Sequence, residues 1–193
     1  MNRRLQVAFM TGQSDPGRCA LSPAQEAFLD ALAVPEDGKV RTNFPYDDDT
    51  PSYRSVPIVA ASWHNARQYL ASRRPDFGER HRPSVLRMLA RANHTVLLAG
   101  SCGLELLGNL ALPESALHRV HVFAYGPVFR HRPECEIVIV RGRSDWIARV
   151  GGDGGGGGHL VDGGHMTYLR NAEVLALCRT SVARIAARAG ALS

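Results

Sequence analysis

Residues 94–112 read HTVLLAGSCGLELLGNLAL, and this one stretch narrows the fold more than any other part of the chain. Residues 95–99 are continuously apolar, without the alternation of a strand that has one wet face, so they predict a strand buried on both sides. A knot of small residues follows (Gly100, Ser101, Cys102, Gly103), and then a second apolar run with helical spacing. A strand covered on both faces needs helices on both faces. The chain therefore reads as α/β.

The remaining segments agree with that class. Residues 5–12 (LQVAFMTG) make a short buried strand ending at glycine. In residues 21–33, Ser22 can cap a helix, Pro23 suits its first turn, and Ala24, Ala27, Phe28, Ala31 and Leu32 share one face. Residues 39–46 predict a second strand. Residues 55–74 have helical spacing through Ile58, Ala61, Trp63, Ala66 and Leu70, and a further helix is expected over residues 83–92. Strands over 119–126 and 135–142, and a short one within 159–165, precede a last amphipathic helix, in which Val174, Leu175, Leu177, Cys178, Val182 and Ile185 face inward. The expectation is a mostly parallel sheet of about six strands with helices on both faces, forming a single domain over 1–193. The glycine-rich run at 150–158 reads as a flexible loop, since no helix start follows it as a phosphate cradle would require.

Composition excludes several classes. Charged residues are 21% and apolar residues 45%, a globular balance. The formal net charge is +5, but Lys39 is the only lysine. The arginines are scattered rather than grouped on one face with aromatics between them, so no nucleic-acid partner is expected. Cys19, Cys102, Cys135 and Cys178 have no metal-like spacing, which fits a reduced, cytoplasmic protein. No run is long enough to span a bilayer, and the N-terminus lacks a signal-peptide pattern. His159, Asp162 and His165, even with Asp153, match no compact ligand spacing, so neither metal nor cofactor is expected. His64, His81, His118, His121 and His131 read as surface or helix-side residues.

In a parallel sheet, ligands bind beyond the carboxyl ends of the strands, so the loops leaving strands carry the candidate chemistry. A sharp strand-to-helix turn that displays a nucleophile requires small residues two before and two after it. Centred on Ser101 those places hold Ala99 and Gly103; centred on Cys102 the second would hold Leu104. Ser101 fits. A nucleophilic serine needs a base, and the base needs an orienting acid. Asp145 follows the strand ending at Gly142, and His165 follows the last strand, giving the order serine, acid, histidine at the ends of three strands.

In these features the chain resembles the α/β-hydrolase family: LLAGSCG resembles its elbow, VIVRGRSDWI its acid loop and DGGHMTYL its histidine loop. The resemblance spans most of residues 5–187. It implies a sheet that starts at the family's third strand, in the role of residues 5–10. It also implies an oxyanion hole made by the backbone N–H of Cys102 and that of Gln13 or Gly12. Thr11-Gly12 replaces the family's usual HG pair, and Ala99 stands where glycine is commoner. Where the family usually inserts a lid, only GPVFRHRPE is found, which implies a minimal, lidless and open site.

The implied activity is a serine hydrolase acting on a small acyl ester or thioester, either free or presented on an acyl carrier protein. Arg130, Arg132, Arg141, Arg143 and Arg149 are candidates for the carrier contact. Two rivals are set beside it. TGQSD with Asp162 and His165 loosely resembles the SGNH/GDSL hydrolases, in which Ser14 would attack. The other is a fold without turnover that holds an acyl group or a partner in the same pocket.

Overall fold

The computed structural model describes residues 3–15, 17–46, 52–150 and 157–191. Six strands, β1 (Arg3–Met10), β2 (Lys39–Asn43), β3 (Ala92–Gly100), β4 (Val120–Tyr125), β5 (Glu136–Gly142) and β6 (His159–Val161), make one sheet. Their spatial order is β2-β1-β3-β4-β5-β6, and every neighbouring pair is parallel. The helices are α1 (Pro23–Asp30), α2 (Ile58–Ala71), α3 (Asp76–Leu89), α4 (Gly103–Asn109), α5 (Glu114–Leu117), α6 (Trp146–Val150) and α7 (Ala172–Ala191).

Successive side chains of each strand enter opposite layers. Ala8, Met10, Leu97, Ala99, Val122 and Ala124 pack with Phe77, Val85 and Met88 of α3 and with Leu104, Leu106 and Leu107 of α4. Val7, Phe9, Val96, Leu98, Phe123 and Val140 pack with Phe28 and Leu29 of α1 and with Val174, Cys178, Val182 and Ile185 of α7. The continuous apolar run in β3 thus feeds two cores at once. Ser22 caps α1 by accepting from the Gln25 N–H (3.3 Å), while Gln25 Oε1 accepts the Ser22 N–H (2.9 Å).

Two boundaries and one helix face differ notably from expectation. The third helix begins at Asp76, seven residues ahead of the predicted Pro83, and carries Pro83 inside it. The proline removes one helical hydrogen bond, but buried Phe77 before it and buried Val85, Met88 and Leu89 after it hold both halves against the core. Strand β2 stops at Asn43 rather than Tyr46, because Asn43 turns its side chain to the Thr11 backbone, accepting its N–H (2.9 Å) and donating to its carbonyl (3.1 Å). In α2 the expected apolar face is divided, with Ala66 on a cavity and its two largest described members in solvent. Trp63 (64% exposed) and Leu70 (60%), one heptad apart, face outward, and Asn65, Ala66 and Tyr69 line a cavity. His121 is likewise not a surface residue: it is half-buried between His94 and Glu136.

Strands β2 and β3 flank β1 on opposite sides, so the chain leaves β1 in one direction and returns past it in the other. The loops after β1 and β3 diverge there and open a crevice at the strands' carboxyl ends, where ligands of open α/β sheets bind. The glycine-rich loop expected at 150–158 lies, for residues 151–156, outside the described residues. Among the described residues no helix is long and apolar enough to cross a membrane.

Candidate functional site

Ser101 sits at the turn between β3 and α4 with φ of 51°, a left-handed conformation that an L side chain adopts only under local constraint. The constraint is visible on both sides. A Cβ on Gly103 would lie 1.8 Å from the Met10 carbonyl, and one on Gly100 would lie 2.5 Å from the Tyr125 ring. The start of α4 is therefore pressed against the end of β1, and the chain has room only for a turn that lifts residue 101 above the sheet. The Ser101 backbone is pinned to the neighbouring loop, its N–H donating to Tyr125 O (3.3 Å) and its carbonyl accepting the Val128 N–H (2.8 Å).

The Ser101 Oγ lies 3.1 Å from His165 Nε2, and His165 Nδ1 lies 2.9 and 3.1 Å from the two carboxyl oxygens of Asp145. A carboxylate can only accept, so Nδ1 carries the hydrogen and Nε2 is left to accept from the serine hydroxyl. These three residues, far apart in sequence, form one hydrogen-bonded chain. Asp145 is 2% exposed and also caps the short helix α6, accepting the Ala148 N–H at 3.0 Å. Burial pushes its carboxyl up, but the Ala148 N–H, the Tyr168 hydroxyl and His165 together hold it below the ordinary aspartate value.

Tyr168 was not singled out by the sequence. Its hydroxyl donates to Asp145 Oδ2 at 2.7 Å and accepts the Gly142 N–H at 2.7 Å. The available signal was its place three residues after His165, within the same short loop. Thr167 shapes that loop, its hydroxyl accepting the Gly164 N–H (3.1 Å) and donating to the Gly164 carbonyl (2.9 Å).

Cys102 is buried beside the serine. Burial pushes its thiol up to about 12, against the backbone N–H groups of Cys102 and Gly12 that face the sulfur. A thiol so protonated is a poor nucleophile at neutral pH. Gly12 is closely approached: a Cβ there would lie 2.5 Å from Asn65 Oδ1 and 3.0 Å from Cys102 Sγ, so those side chains would have to shift. The Gln13 N–H is already donated to Gln68 Oε1 of α2 at 2.6 Å. Ser101, His165, Gly12, Gln13 and Cys102 share a cavity of about 450 Å³ whose apolar wall includes Val128, Ile147, Met166 and Leu169. Tyr53, Arg54 and residues of α2 also line it, a segment that the sequence did not connect with the site.

Other sequence candidates are occupied elsewhere. Asp162 is turned to Arg143 (3.2 Å) with its side chain 92% exposed, and the carboxylate that meets His165 is Asp145. Ser14 lines the cavity, and its carbonyl accepts from His64 Nδ1 at 2.7 Å. Arg130 is locked onto the buried Glu105 (2.8 Å), and Arg149 donates to the Arg143 carbonyl. Arg141 reaches the Gly157 carbonyl (3.4 Å), and Arg132 borders a separate small cavity with Glu105 and His131. Asp153 lies outside the described residues, among which no three His, Cys, Asp or Glu side chains gather as a metal site. No protein-family model and no curated protein sequence matches the chain.

Proposed function

We propose that the protein is a serine hydrolase that cleaves a carboxylic ester or thioester through an acyl-enzyme. The observation that carries this reading is the continuous chain from Ser101 Oγ through the His165 ring to a buried carboxylate. The strained backbone at residue 101 supports it, because strain held in place by packing clusters at functional sites. Both features also belong to the α/β-hydrolase resemblance.

The chemistry follows from the geometry. His165 Nε2 takes the hydroxyl proton as Ser101 Oγ attacks the acyl carbon, and Asp145 keeps the proton on Nδ1 and stabilises the imidazolium. The oxyanion falls to the backbone N–H of Cys102 together with that of Gly12 or Gln13; in the resting protein the first two face the Cys102 sulfur and the third donates to Gln68. Each such donor is typically worth about 3 kcal/mol of transition-state stabilisation. The imidazolium then protonates the departing alcohol or thiol, the acyl group stays on Ser101, and water repeats the attack with His165 again as base.

A fluorophosphonate probe followed by mass spectrometry of the labelled peptide tests the assignment. Label on Ser101, lost in Ser101→Ala and kept in Ser14→Ala, is the expected result. Label on Ser14 would transfer the chemistry to the SGNH/GDSL alternative, and an unlabelled protein would leave a module that binds an acyl group or partner without turnover.

A further inference from the structure

A second concave surface, of about 480 Å³, lies between α2 and α3 and meets the Ser101 cavity at Gln13, which lines both. Three guanidinium groups line it: Arg67, Arg74 and Arg80. The facing carboxylate is Asp76, which pairs with Arg80 at 3.0 Å. Arg67 and Arg74 have no ion-pair partner among the described residues.

Arg4, Arg87, Arg119 and Arg170 share that absence, but of these six only Arg67 and Arg74 line a concave surface, and many other arginines are paired. Arg41 meets Glu26, Asp30 and Glu36; Arg18 and Arg54 share Asp15; Arg184 and Arg188 share Glu136. Even Arg82 and Arg179, which have no carboxylate, donate to the backbone carbonyls of Leu110 and Ala31. Two unpaired cations set in a concavity concentrate positive potential there, and planar guanidinium forks match the oxygens of phosphate. The site is also built. His64 is held by the Ser14 carbonyl, and His81 packs against the rings of both Phe44 and Phe77, at 5.2 and 4.9 Å.

We propose that this groove is an anion subsite that takes a phosphate-bearing leaving group of the substrate whose acyl carbon is attacked by Ser101. The inference rests on the hydrolase reading and adds the substrate's charge to it. The division of the two cavities sets the polarity. Val128, Ile147, Met166 and Leu169 offer an apolar wall for the acyl chain on the Ser101 side, so the charge belongs to the part that crosses Gln13 toward α2 and α3. The Gln13–Gln68 amide pair (3.2 Å) stands at the crossing and can hydrogen-bond a polar linker.

The test uses the whole protein with inorganic pyrophosphate as the probe, and a pair of butyryl thioesters whose thiols differ only by a terminal phosphate. Pyrophosphate is expected to bind by calorimetry and to compete with the phosphorylated thioester but not with the plain one. In Arg67→Ala/Arg74→Ala, verified as folded by circular dichroism, its Kd rises at least ten-fold. The kcat/KM preference for the phosphorylated thioester falls by at least as much. If that variant does not fold, Arg67→Gln and Arg74→Gln are each expected to lower the preference at least three-fold. No pyrophosphate binding, or a preference unmoved by these substitutions, overturns the subsite. Ser101 left unlabelled by fluorophosphonate would instead overturn the hydrolase reading, while pyrophosphate binding still decides whether the groove holds anions.

Discussion

The Tyr168 hydroxyl joins Asp145 to the end of β5: it donates to the carboxylate at 2.7 Å and accepts the Gly142 N–H at 2.7 Å. Both partners are buried, and for the Gly142 N–H this hydroxyl stands in for the lost water, while Asp145 also accepts from Ala148 and His165. Tyr168→Phe leaves the Gly142 N–H unsatisfied and removes one of three groups holding Asp145 charged. The expected cost is about 2 kcal/mol of stability, readable by urea denaturation. A partial fall in ester turnover is expected as Asp145 loosens. A variant as stable and active as the parent would assign Tyr168 no role.

Asp145→Asn keeps the size of the side chain but lets a neutral amide face His165, which no longer requires Nδ1 to carry the hydrogen. If the histidine is the base, turnover is expected to fall by roughly 10⁴, the size of effect known for loss of the orienting acid in such a triad. The pH dependence of stability has a definite sign. The Asp145 carboxyl lies below its ordinary value in the folded protein, so its contribution is present above the unfolded value of 3.8 and is lost as pH falls through the folded one. The gap in unfolding free energy between parent and variant should stay flat from pH 7 to about 5 and shrink below about 4. A gap that widens with acid would contradict the environment described for Asp145.

The turn holding Ser101 was legible because its requirement is steric and local: small residues at 99 and 103 are visible in one chain, and so is the order of serine, aspartate and histidine. The two faces of the sheet were legible for a similar reason, since β3 shows no polar alternation at all. The α2 wall was not. Its apolar residues Trp63 and Leu70 have helical spacing, but spacing alone does not say whether a stripe faces the core or the solvent. Nor did sequence distinguish arginines by role, because Arg130 and Arg67 differ only in what folding brings beside them: a buried carboxylate for one, an open groove for the other.

The backbone strain at residue 101 can be measured separately from chemistry. At φ of 51° a Cβ costs about 1–2 kcal/mol, while glycine adopts this region freely but gives up about 0.5–1 kcal/mol of extra chain entropy on folding. Ser101→Ala and Ser101→Gly both remove the hydroxyl. The glycine variant is expected to be the more stable of the two by about 1 kcal/mol, a gain of roughly 3 °C in Tm for a chain of this size. Equal melting temperatures would mean that the turn relaxes and stores no strain.

Glu105 lies in the first turn of α4, 3% exposed, and its oxygens accept the Arg130 N–H (2.9 Å), the Arg130 Nε–H (2.8 Å) and the Asn109 amide (3.3 Å). Burial pushes its carboxyl up, and these donors return it to below its ordinary value, so it stays ionised in the core. Arg73 approaches it at 3.4 Å as a second cation. Arg130→Ala removes the guanidinium but leaves the backbone N–H in place. The loss is expected to be about 1–2 kcal/mol, less than for a fully buried pair, because the Arg130 side chain is half in solvent and Arg73 remains. The same variant separates anchoring from recognition. If Arg130 were instead a carrier contact, its removal would raise KM for a carrier-bound thioester at unchanged stability. The expected outcome is a lowered Tm with KM for small esters and carrier thioesters moving together.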